Sequence, residues 1–312
     1  MLLGAHPKSV QIQDKYGRSP LHRLHHTDYP TVFNNPSILK TYPEILSKSD
    51  GWGCLPIHAA LGGNAPSDYI MLLLETYQKA SKVQDAAGRL HLHTALFNCA
   101  GLNVVEIIHA AYPEAIMVQD NYGDLPIHYA AYQNYSPSLL ASIFNGYPDG
   151  VKIKNQDGYL PIHFLCNHFL FLHPEHPSHF RALKFEIFME NLNLLVSAYP
   201  ESIEVKGKDG NLPSVHLKSM MAASDLSERQ DLLLKAVKNE YYQNLVKFLL
   251  QAFPESCMTQ DANGMVALHH ACESKVLFFL DNIIAILDAN PACLAIQDHL
   301  DRTPFELLSG EM

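Results

Sequence analysis

Histidine is the residue type that first suggests chemistry in this sequence, because imidazole titrates near neutral pH and in its neutral form ligates metals. The 312-residue chain carries 18 of them. The densest group is Cys166, His168, His173, Glu175, His176 and His179, within fourteen residues. Ligand types of that kind so close together would suit a metal centre, but their spacing follows no zinc pattern. Pro174 and Pro177 also break the helix on which the two histidines of an HExxH metalloprotease must share a face. The expectation for 166–179 is a polar surface loop, with a metal-binding or catalytic centre there as the alternative. Nucleophilic or phosphoryl chemistry has no motif to stand on: there is no GxSxG, no P-loop and no glycine-rich dinucleotide fingerprint. No catalytic residue, metal ligand or cofactor is assigned, and the chain is expected not to be an enzyme.

Seven other histidines, His22, His58, His93, His128, His163, His216 and His269, occupy one position of a repeat. Periodic residues serve the fold, whereas catalytic groups are singular additions to it. Successive helices pack roughly 8–10 Å apart, too far for two such rings to share one metal. Each of these histidines is expected to hydrogen-bond loop backbone of an adjacent repeat, since buried polar groups are satisfied.

The repeat is visible when the chain is laid against itself. Gly17–His22 (GRSPLH), Gly53–His58 (GCLPIH), Gly88–His93 (GRLHLH), Gly123–His128 (GDLPIH), Gly158–His163 (GYLPIH) and Gly264–His269 (GMVALH) are copies of one pattern. Gly210–His216 carries one extra residue, and Asp301–Glu306 has lost both glycine and histidine. The histidines at 58, 93, 128 and 163 set a period of 35, and the longer steps to 216 and 269 reflect two insertions of 18. An aromatic-Pro-acid tripeptide confirms the register independently at Tyr42, Tyr112, Tyr147, Tyr199 and Phe253, with weaker copies at His6, Tyr77 and Asn290. From each tripeptide to the next turn is always eight positions.

Glycine in each turn supplies positive φ, and Pro20, Pro56, Pro126, Pro161, Pro213 and Pro304 suit a first helical position. Ile127, Ala130 and Ala131 share one helical face; Leu139, Leu140, Ile143 and Phe144 share the next. Tyr-Pro then ends the second helix, because the residue before proline is driven out of the α region, and a hairpin or extended loop follows. The segment 224–253 reads as extended helix, an elongated pair with a solvated outer face.

Asp120-Asn121-Tyr122-Gly123-Asp124-Leu125-Pro126-Ile127-His128-Tyr129-Ala130-Ala131 resembles the ankyrin repeat, with Tyr-Pro-Glu replacing the usual Gly-Ala-Asp and leucine usually replacing threonine before proline. The resemblance implies an all-α, helical-hairpin solenoid with short turn or β-hairpin connections. It would span residues 1–312 as a single domain of about eight registers, with insertions near 167–184 and 218–240 and partial units at both ends. It further implies a protein-protein interaction scaffold that binds through the concave surface and turn tips. The positions flanking the turn glycine are then the candidates for partner binding: Tyr16, Arg18, Trp52, Arg89, Tyr122, Asp124 and Tyr159, joined by Tyr132 and Gln133 late in a first helix. A scaffold fragment of a larger multidomain protein is a further alternative.

Composition narrows the partner. Thirty-two acidic against 22 basic residues give a formal charge of -10, which lacks the basic footprint of a nucleic-acid binder. Met1–Pro7 has no signal-peptide character, and the longest apolar runs are too short for a membrane span. The six cysteines lie far apart and point to a reducing, cytosolic or nuclear compartment.

Overall fold

The structure, a computed structural model, describes residues 11–24, 39, 41–167, 178–220, 226–238, 243–273 and 280–309. These fall into two compact units, Met1–Asp157 and Gly158–Met312. Among the described residues every regular element is helical and there is no strand. The architecture is the ankyrin-like helical-hairpin repeat.

Six of the repeat turns are built the same way. An aspartate opens the turn: Asp120 Oδ1 accepts the N–H groups of Tyr122 and Asp124, both at 2.9 Å. Asp14, Asp50, Asp85, Asp261 and Asp298 do the same in their turns. Three residues on, the chain enters the left-handed region at Gly123 (φ 79°), and in the last turn at Asp301 (φ 58°), a residue type that tolerates that conformation. Proline then starts most of the first helices at N1, where it forfeits no hydrogen bond.

In the first unit the first helices are α1 (Pro56–Gly62), α3 (His91–Phe97) and α5 (Pro126–Tyr132). Their partners are α2 (Ser67–Thr76), α4 (Leu102–Ala111) and α6 (Pro137–Gly146). α1 packs on α3 and α3 on α5, while α2 packs on α4. Buried Ala60, Ala95, Ala130 and Ala131 permit the close approach, and Ile127, Leu139, Leu140 and Ile143 fill the layer between helices. Each such aliphatic side chain contributes about 1.5–3 kcal/mol by leaving water.

The link between repeats is neither a β-hairpin nor a plain extended loop. Tyr77, Tyr112 and Tyr147 end the second helices at φ near -137° to -152°, and a single 3-10 turn follows at Gln78–Lys82, Pro113–Met117 and Pro148–Lys152. Proline supplies the first φ of the second and third of these turns, and one apolar residue, such as Ile116 or Val151, plugs the core before the chain extends into the next turn.

The second unit holds α7 (Pro161–Asn167), α8 (Ser178–Ala198), α9 (Pro213–Met220), α10 (Leu226–Lys238), α11 (Gln243–Ala252), α12 (Ala267–Glu273), α13 (Leu280–Ala289) and α14 (Pro304–Ser309). The stretch expected as an elongated helical pair holds the two helices α10 and α11. Among the described residues α10 has no copy in sequence in the other repeats. It packs on α11, on α12 and on the 3-10 turn Pro254–Met258. Arg229 binds Glu255 at 3.2 Å, and the Gln230 side chain donates to the Thr259 carbonyl at 2.8 Å. Buried Leu232, Leu233, Ala236 and Val237 make it a core element whose outward face is charged. No described helix is long and apolar enough to cross a membrane.

Candidate functional site

The repeat histidine is the first group whose chemistry the fold settles. Nδ1 of His93 accepts the Leu90 N–H at 3.1 Å, the orphan donor at the helix start. The proton therefore sits on Nε2, which reaches the Val118 carbonyl of the next repeat at 3.0 Å. His22, His163 and His269 repeat this geometry on Cys54, Val205 and Arg302. Of these rings, His22, His93 and His163 staple neighbouring repeats as neutral groups, since burial lowers the pKa of His22 and His93 and brings that of His163 to about 4.

The turn tips carry the candidate binding residues. The tip residue, two after the turn aspartate, hands its backbone carbonyl to the next turn: Tyr16 to the Gly51 N–H (2.8 Å), Trp52 to Ala86 (2.8 Å), Ala87 to Asn121 (2.9 Å) and Tyr122 to Gln156 (2.9 Å). The edge of the first unit is thus a ladder of backbone hydrogen bonds that sets the spacing of the tip residues. Tyr16, Trp52 and Tyr122 are 45%, 55% and 60% exposed.

Tyr16 and Trp52 stack with ring centroids 6.2 Å apart and planes at 21°. The Arg18 guanidinium lies 4.7 Å from the Tyr16 ring centre and 6.0 Å from that of Trp52, and Lys15 Nζ lies 4.9 Å from Tyr16. Arg18 is held by Asp14 at 3.2 Å, and Asp14 also takes Arg23 at 2.8 Å. The result is an aromatic pair with one fixed guanidinium, open to solvent on one side.

The other candidates are placed differently. Arg89 is clamped on buried Asp85 (2.8 and 2.9 Å) and covers Phe97 at 5.9 Å. Asp124 is buried and accepts from Asn155 at 2.9 Å; burial raises its pKa to about 6. Gln133 donates to the Phe97 carbonyl at 2.6 Å, and Tyr132 is half-buried at the end of α5. Tyr159, in the second unit, sits on the far side of its glycine, in the register of Arg18 and Arg89. It lies 5.5 Å from His163 and 5.9 Å from His216. The structure therefore brings together Tyr16, Arg18 and Trp52, with Tyr122 further along the same ladder.

One residue escaped the sequence reading. Leu300 occupies the tip position of the last turn and is 70% exposed. The signal was available, because it stands two residues after Asp298 as Tyr16 stands after Asp14.

The His-rich stretch lies outside the described residues at 168–177, and the side chain of His179 lies outside them too. Cys166 is described and fully buried, and burial drives its thiol pKa up, which suits neither a thiolate ligand nor a nucleophile. Among the described residues no three His, Cys, Asp or Glu converge as a metal site. None of the six cysteines forms a disulfide.

No family model matches the chain, and no curated protein matches it. Solved structures with a related course of chain include one from the complex of the Bdellovibrio bacteriovorus predatory endopeptidase Bd0816 with the immunity protein Bd3460. It is 16% identical, with 68% of this chain and 95% of that chain covered and a TM-score of 0.47. Another is the ankyrin repeat domain of Bcl-3, a member of the IkappaB protein family, 19% identical over 83% of this chain and 99% of that one, with a TM-score of 0.42.

Proposed function

We propose that this chain is a non-catalytic interaction scaffold that binds another protein through the turn-tip edge of its first unit. The observation that carries the reading is the Tyr16–Trp52 stack with Arg18 above it. Large exposed aromatics beside a half-buried arginine, on a backbone held by the turn ladder, match the composition of interface hot spots. Trp52 is the anchor: it is the chain's only tryptophan, and its indole combines a large apolar face with one donor. The acidic balance of the chain speaks against a nucleic-acid partner.

The test is to trap partners by a photo-crosslinking residue placed at Tyr122 in living cells, then to measure the captured protein against wild type and Trp52→Ala. The variant is expected to weaken binding by about 1–4 kcal/mol with an unchanged melting temperature. A lowered melting temperature with intact affinity would show that the indole serves the fold and would move the site off this edge.

A further inference from the structure

The charges around the Tyr16–Trp52 pair restrict what can bind there. Asp14 Oδ2 takes two guanidiniums, Arg18 at 3.2 Å and Arg23 at 2.8 Å. Matching turns give their aspartate one: Arg89 lies 2.8 Å from Asp85, and Arg302 lies 2.7 Å from Asp298. One carboxylate cannot neutralise two cations, so a positive charge is left over at the first turn. Arg23 keeps 56% of its side chain in solvent. Lys15 adds a further charge, exposed, 4.9 Å from the centre of the Tyr16 ring and, among the described residues, in no ion pair. Three cations thus stand against two carboxylates, Asp14 and Asp50. Asp50 is itself committed, since its Oδ1 accepts the N–H groups of Trp52 and Cys54 at 2.9 Å.

This cluster runs against the balance of the chain. The first 58 residues hold six basic and four acidic residues, whereas the remaining 254 hold 16 and 28. An acidic ligand is therefore drawn to the first two turns and repelled from the rest of the surface.

Beside the cations the stack leaves an apolar face open. Tyr16 covers one side of Trp52, but the next tip along the ladder is Ala87, which carries no ring to cover the other. Among the described residues no second ring lies on the indole. A flat ring of the ligand suits that face, because aromatic pairs gain by stacking beyond the area they bury.

We propose, resting on the reading of this edge as the partner-binding site, that the bound partner presents an acidic segment containing an aromatic residue. Its ring packs on the open face of Trp52, and its carboxylates meet Lys15 and Arg23 in charge-assisted hydrogen bonds. A basic segment would meet like charge there, and a purely apolar one would leave both cations unmatched.

The probes are capped ten-residue peptides in a Gly/Ser frame that carry Phe with three Glu, Phe with three Lys, or Ala with three Glu. They are titrated into the full chain and read by NMR through the indole N–H of Trp52, a unique signal because the chain has one tryptophan. Phe with three Glu is expected to shift that signal saturably, and the other two peptides to bind at least tenfold more weakly. Raising NaCl from about 50 to about 500 mM is expected to weaken the acidic peptide severalfold, because exposed charges are screened. Lys15→Gln combined with Arg23→Gln is expected to weaken it at least tenfold with an unchanged melting temperature. Asp14 keeps Arg18 in that variant, and a single arginine suffices at Asp85 and Asp298. Lys79→Gln, at an exposed lysine away from the tips, is expected to change nothing.

The proposal is overturned if Phe with three Lys or Ala with three Glu binds as tightly as Phe with three Glu, or if the double variant binds as wild type does. It is equally overturned if no peptide shifts the indole at up to about 5 mM, beyond the weakest useful affinities. A ten-nucleotide single strand that binds more tightly than the acidic peptide also overturns it, since stacked aromatics with cations serve nucleic acids too. The partner crosslinked at Tyr122 separates the two claims. Weakening by Trp52→Ala but not by the double variant leaves the edge as the site and overturns the acidic segment; no weakening by Trp52→Ala overturns both.

Discussion

At position 91 the repeat register holds histidine where Pro20, Pro56, Pro126, Pro161 and Pro213 stand in other copies. The His91 ring is completely buried, neither of its nitrogens has a hydrogen-bond partner, and its centroid lies 4.1 Å from that of His58. His58 in turn faces the Arg89 carbonyl without closing the bond that its counterparts make, so its Nε2 is also unmet. His91→Pro is therefore expected to stabilise the protein by on the order of 1 kcal/mol, visible as a raised melting temperature. The change removes two stranded nitrogens and stiffens the unfolded chain, and Leu90 (φ -77°, ψ 168°) already has the conformation that a following proline requires. A lower melting temperature would show that ring packing outweighs the unmet polar atoms. The staple role of the repeat histidines was legible from periodicity, but the unmet pair at 58 and 91 was not. It depends on a ring-to-ring distance that no spacing along the chain encodes.

The helices and turns were legible because local steric rules fix them. Every glycine assigned to a turn has positive φ, and every assigned proline opens a helix. Gly123 shows a second constraint that the sequence hides: a Cβ there would meet Gln156 N at 2.9 Å, because the next turn is bonded directly against it. Gly17 has the same φ, with a looser 3.1 Å approach to Gly51 N. Among the described residues its turn bonds one neighbour, whereas the Gly123 turn bonds two. Gly123→Val is accordingly expected to cost about 2 kcal/mol or more in chemical denaturation and Gly17→Val measurably less, since an end repeat frays without dragging two neighbours with it. Equal losses would mean that turn-to-turn coupling is not what the ladder of hydrogen bonds reports. The 3-10 turns were not legible for a different reason. A single turn of five residues has no periodicity to detect. The candidate binding positions divided likewise: the tip offset from aspartate is a matter of sequence, but the burial of Asp124 and the clamping of Arg89 arise only when turns stack.

Across the whole molecule the repeated histidine gives stability a pH dependence that single-site reasoning would miss. Burial lowers the pKa of His22 and His93, takes those of His58 and His163 from 6.5 to about 4, and pushes that of His91 far down. A depressed histidine pKa favours folding while the ring is neutral in both states. That contribution is complete above pH 6.5 and is lost as pH falls toward 4, where the unfolded chain takes up protons that the folded one refuses. Asp124 works in the opposite direction: with its folded pKa raised from 3.8 to about 6, protonation across that window favours the fold and offsets one histidine. Each net proton taken up on unfolding tilts stability by about 1.4 kcal/mol per pH unit, so several together approach the whole 5–15 kcal/mol of a typical domain. The melting temperature is expected to be highest at or above pH 7 and to fall steeply by pH 5, with a slope corresponding to three or more protons. His91→Pro should reduce that slope by about one proton. A melting temperature flat between pH 7 and 5 would mean that the stapling imidazoles accept protons in place, and that the repeats are not held together by neutral rings.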